Sequence, residues 1–108
     1  VSTVFVVQES IGKNILSASE FGEIEVLLPP GNIAFSSGPT VKRLKRNLRL
    51  FNDEDFLLLM GDPAAIAIAS AVATQINNGR MNLLKWDRQE RKYYPVKVDV
   101  YAGGSNDR

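Results

Sequence analysis

Three segments of this 108-residue chain that read as strands end in an acid: TVFVVQE at Glu9, LLLMGD at Asp62 and LLKWD at Asp87. In open α/β sheets, ligands bind outside the carboxyl ends of the parallel strands. Three carboxylates converging there could hold Mg²⁺ or Mn²⁺, hard cations that take oxygen ligands. Such a site would suit a metal-dependent phosphohydrolase or a nucleotide-binding enzyme. Each acid also has a local task available. Asp62 can cap a helix, Asp87 can open the Arg88-Gln89-Glu90-Arg91 turn, and Glu9 can be a solvated strand end. The local tasks are favoured. The expectation is therefore no catalytic residue and no cofactor, with Mg²⁺ on Glu9, Asp62 and Asp87 as the alternative.

Gly61-Asp62-Pro63 could instead cradle a phosphate, because helix N-termini bind anions through their free N–H groups. The residue types argue against it. A single Gly precedes the helix, no Lys follows, Pro63 removes one N–H, and Asp62 carries negative charge where the anion would sit. Asp is a strong N-cap and Pro a favoured first helical residue, so the cap accounts for the motif.

Cations supply the most distinctive surface. At about 100° per residue, Lys42, Lys45, Arg46 and Arg49 fall within roughly 100° of arc, opposite an apolar stripe, with Arg43 just outside. A face of this kind can track phosphates, or it can be a solvated helix face balanced by the following Asn52-Asp53-Glu54-Asp55. The segment KWDRQERKYY sets aromatics beside cations. Tyr and Arg are enriched at interface hot spots, so Arg88, Arg91 and Tyr93 are candidate contact residues, while Trp86 and Tyr94 are assigned to the core.

Absences exclude whole classes. The chain has no cysteine and no histidine. That removes disulfides, thiolate nucleophiles, cysteine–zinc sites, the commonest neutral-pH general base and most transition-metal sites. The net charge of +1 leaves no global attraction to nucleic acid or membrane, so only a local patch could supply one. No apolar run approaches the ~20 residues that span a bilayer. The opening VSTVFVVQES lacks a basic leader and reads as a strand, so a cytoplasmic location with no membrane partner is expected.

The elements that position these residues follow from pattern. TVFVVQE is apolar on both faces and suits an inner strand. NILSA can be read as a turn of helix or as an extended piece. EIEVLLP alternates and ends at Pro29-Pro30-Gly31, and NIAFSS reads as a short strand pairing back across that turn. The helix from Pro39 places Val41, Leu44, Leu48 and Phe51 on one stripe and ends at Asn52. FLLLM reads as a strand covered on both faces. The segment from Pro63 to about Asn77 is an uncharged, alanine-rich helix, apolar all round and so expected to be buried. The last two strands form a hairpin, and Pro95 makes the second an edge strand. The expected fold is α/β: a single mixed sheet of five to six strands with two α-helices, in the order ββ(β)αβαββ. One domain covers 1–101, followed by a flexible tail, 102–108.

The blocks FLLLMGDPAAIAIASAVA and NGRMNLLKWDRQERKYYPVKVDV give the stretch Glu23 to Val100 a resemblance to small proteins of tailed bacteriophages. The resemblance implies a context, a small protein made in an infected bacterial cell, and no activity that can be placed on residues. The functional expectation is a non-enzymatic binding or accessory protein. It would engage nucleic acid or a host protein through Lys42, Arg43, Lys45, Arg46 and Arg49 and through Arg88, Arg91 and Tyr93. A homo-oligomeric assembly component, joined along the last strand, is a further alternative.

Overall fold

A computed structural model describes residues 2–10, 12, 14–31 and 38–102. Its elements are β1 (Thr3–Gln8), a 3₁₀ helix (Leu16–Phe21), β2 (Glu23–Leu28), α1 (Gly38–Asn47), β3 (Phe56–Leu58), α2 (Pro63–Ile76), β4 (Arg80–Asp87) and β5 (Lys92–Asp99). The strands form one five-stranded mixed sheet in the order β2-β1-β3-β4-β5. β2, β1, β3 and β4 are parallel, with Val4 opposite both Ile24 and Phe56, and Leu57 opposite Leu83. β5 runs antiparallel to β4, with Trp86 opposite Tyr93. The strand expected in NIAFSS lies outside the described residues.

The chain steps from β1 to β2 in one direction across the sheet, then from β2 to β3 and β4 in the other. Right-handed crossovers must then lie on opposite faces, and they do. Leu44 and Leu48 of α1 and Ala65, Ala69 and Val72 of α2 pack with Phe5, Val7 and Leu57 on one face. On the other face, Ala18 of the 3₁₀ helix packs with Val4, Val6, Leu58, Leu84 and Tyr93. Full burial of each Leu side chain contributes about 2 kcal/mol. Because successive residues of β1 and β3 feed the two cores alternately, both strands are apolar on both faces.

Two elements differ from the sequence expectation. α1 ends at Asn47, and Leu48 to Leu50 form a turn, although Leu48 and Phe51 still reach the core. α2 is buried on one side only: Ala65, Ala69, Val72 and Ala73 face the sheet, while Ala64, Ala67 and Ala71 are exposed. Among the described residues nothing covers its outer side, and alanine exposes little apolar surface there.

Both sheet edges are guarded. At β2 the Leu27 carbonyl accepts from Arg43 Nε at 3.0 Å and from Asn47 Nδ2 at 3.5 Å, so α1 occupies one acceptor of that edge. At β5 the residues in register with Pro95, namely Tyr93, Lys97 and Asp99, turn their N–H groups outward, since Val100 N bonds Gly79 O on the alternate positions. Pro95 therefore interrupts the free edge where another strand would pair.

Candidate functional site

Lys42, Lys45 and Arg46 lie on α1 as the pattern placed them, and Arg49 falls just beyond its end. Lys42, Lys45, Arg46 and Arg49 are exposed, and among the described residues none makes a hydrogen bond or ion pair. Arg49 lies in the turn after α1 and borders a groove with Glu25 and Leu50. Arg43 is different: its guanidinium is fixed on the Leu27 carbonyl and serves the fold.

The expected counter-charge is held elsewhere. Asp53 Oδ1 accepts from Asn77 Nδ2 at 2.8 Å and from Arg80 Nε at 3.0 Å, at the start of β4. Those two hydrogen bonds, Asn77 first, hold the Asp53 carboxyl below its ordinary range, and the Arg80 guanidinium is raised in return. Asp55 is buried, with Oδ1 accepting from Thr3 N and Oδ2 from Asn52 N. Two of the three acids after α1 thus turn away from its cations.

The hairpin reverses two assignments. Tyr93, expected as a contact residue, is only 6% exposed, and its hydroxyl donates to the Asn14 carbonyl at 2.8 Å. Burial pushes its phenol above the ordinary value. Trp86, assigned to the core, is 37% exposed and meets Tyr93 edge to face, with ring centroids 4.9 Å apart. The physical reason is the 3₁₀ helix and its leading residues, which close over Tyr93 and leave Trp86 at the margin. Arg88 and Arg91 are exposed in the turn, Arg91 with φ of 57°. The two cationic regions are not brought together. α1 packs at β2 and the turn caps β4 and β5, three to four strand spacings or about 14–19 Å across the sheet.

Among the described residues no group of three or more acids, histidines or cysteines is placed to hold a metal ion, so Glu9, Asp62 and Asp87 do not converge into one. Each acid has its own local setting. Asp62 is the N-cap of α2, accepting from Ala64 N, with Pro63 at the first helical position. Asp87 accepts from Gln89 N at 2.9 Å and Glu90 N at 3.2 Å and shapes the turn. Glu9 is exposed at the end of β1.

A family model described as Phage Pam3 gp32-like protein matches residues 2–100. The chain belongs to the Phage Pam3 gp32-like family. No curated protein and no solved structure matches it. The resemblance to small phage proteins is thereby shown over residues 2–100. Among the described residues, no helix of this phage-family protein is long and apolar enough to cross a membrane.

One residue at the strand ends escaped the sequence reading. Gln8 is 4% exposed and ties three carboxyl ends together. Its Nε2 donates to the carbonyls of Pro29 at 2.7 Å and Gly31 at 2.5 Å, and its Oε1 accepts from Asp62 N at 2.8 Å. Gly61 is required beside it: φ is 120°, and a Cβ there would lie 2.5 Å from Gln8 Cβ. The crevice between β1 and β3, of about 290 Å³ and bordered by Glu9, Ser10 and Asp62, is therefore floored by a structural amide. A polar residue closing an apolar strand was the only signal in the sequence.

Proposed function

We propose that this phage-family protein is a non-enzymatic binding protein that engages nucleic acid through Lys42, Lys45, Arg46 and Arg49. The observation that carries the reading is the state of these four side chains. They are exposed and without a hydrogen bond or ion pair among the described residues, while Asp53 and Asp55 are engaged elsewhere. Phosphate contacts need cations that are free to exchange counterions, and this face supplies them. The non-enzymatic half rests on the lack of histidine and cysteine and on the structural tasks of Asp62 and Asp87.

Salt-titrated binding to single- and double-stranded DNA and RNA tests the proposal. Binding at low salt that Lys42→Ala/Arg46→Ala/Arg49→Ala weakens is the expected result. Absence of binding at low salt, or binding indifferent to the triple substitution, overturns it.

A further inference from the structure

A second cavity, of about 280 Å³, opens at the carboxyl ends of β3 and β4, on the face opposite α1. Leu58, Met60, Trp86 and Tyr93 line it, and Asn14 stands at its side. Ligands of parallel α/β sheets bind outside the carboxyl ends of the strands. Ligand pockets are walled largely by apolar and aromatic groups; this cavity opens at those strand ends and has an aromatic and aliphatic wall, with polar surface making up nearly as much of its lining. Its volume is just below the usual ~300–1,000 Å³ range and suits one ring system rather than an extended cofactor.

The aromatic wall is held in place. Tyr93 is pinned by its hydrogen bond to the Asn14 carbonyl, and Trp86 rests edge to face against it. Trp86 nevertheless stays 37% exposed, and among the described residues its indole N–H has no hydrogen-bond partner. A rigid, half-open aromatic surface with a free donor is a stacking platform for a planar polar ring. Two residues beyond Trp86 the turn begins, with Arg88 and Arg91 exposed and without an ion pair among the described residues. The nearest acid, Asp87, has its carboxylate engaged by two turn amides, and Glu90 is the other acid of the turn. Aromatic stacking beside cations is the chemistry that holds a base and its phosphate.

We infer that the Trp86 pocket seats an unpaired base of a single-stranded nucleic acid, with Arg88 and Arg91 on the flanking phosphates. This rests on the nucleic-acid reading and adds the form of the ligand. A duplex keeps its bases stacked and can present one here only by flipping it out, at a cost of a few kcal/mol. The pocket and α1 lie on opposite faces, so each can be disabled without touching the other.

Trp86 is the only tryptophan in the chain, and its fluorescence reports the pocket directly. The protein is titrated with an oligothymidylate and with an abasic strand of the same length, and binding is followed by anisotropy of a labelled strand. Oligothymidylate is expected to quench Trp86 fluorescence, the abasic strand to bind without quenching, and Trp86→Leu to weaken oligothymidylate binding about ten-fold. Binding of both strands with no quenching, or with equal quenching, overturns the inference and leaves the α1 proposal standing. A Trp86→Leu protein of normal melting temperature and unchanged affinity overturns it as well. Binding of neither strand at low salt overturns both readings.

Discussion

Gln8 joins three strand ends, and its replacement should be felt across the sheet. Gln8→Ala removes two donated hydrogen bonds, to Pro29 and Gly31, and one accepted from Asp62. A neutral hydrogen bond contributes about 0.5–1.5 kcal/mol net. Pro29 and Gly31 are exposed, so their carbonyls regain water, whereas Asp62 is half-buried. The sum is a loss of about 2–4 kcal/mol, which in a domain of this size lowers Tm by about 10–20 °C. Gln8→Glu makes a sharper comparison. It keeps an oxygen for Asp62 N but sets a buried carboxylate against two carbonyl oxygens. At neutral pH it should be at least as destabilising as Gln8→Ala. Its folded-state pKa would be raised above that of an unfolded Glu, so the penalty is full above the folded pKa and is relieved as pH falls through it. Urea unfolding followed by Trp86 fluorescence and by circular dichroism measures both variants. A loss under about 1 kcal/mol for Gln8→Ala, or Gln8→Glu equal to the parent at pH 7, refutes the assignment of Gln8 as the tie.

Burial raises the Tyr93 phenol, so its contribution to stability is present below the ordinary tyrosine pKa and is lost as pH rises toward the folded value. Tyr93→Phe should cost about 1 kcal/mol at neutral pH through the lost bond to Asn14 and should flatten the alkaline decline; equal declines in urea midpoint for both proteins would contradict this. Pro95→Val restores an outward N–H on the free edge of β5 and should promote concentration-dependent self-association by sedimentation, with an unchanged monomer meaning that Pro95 is not what guards the edge.

The parts of the fold that were legible are those set by local chemistry. Asp62-Pro63 reads as a cap and is one, because the preference lies in the residues themselves. The apolar runs of β1 and β3 read as doubly covered strands for the same reason. Tyr93 and Trp86 were exchanged because alternation gives the two faces of a strand but not their cover. The cover for Tyr93 is the 3₁₀ helix and Asn14, far away in sequence and without a helical or strand period of their own. The end of α1 was set too late because Leu48 and Phe51 continue the apolar stripe through a turn that still points them inward. For the three strand-end acids the sequence offers a shared site and separate local tasks, and the local tasks are what the structure displays: Asp62 caps α2 and Asp87 closes a turn.

The central claim is that α1 and the turn after it meet phosphates through four exposed cations. Its most direct test is the salt dependence of the binding constant. With Lys42, Lys45, Arg46 and Arg49 each displacing one counterion, log K should fall against log salt with a slope of about −3 to −4, and Lys42→Ala/Arg46→Ala/Arg49→Ala should make that slope shallower by about 2 to 3. A slope near zero, or one the triple variant leaves unchanged, contradicts the account.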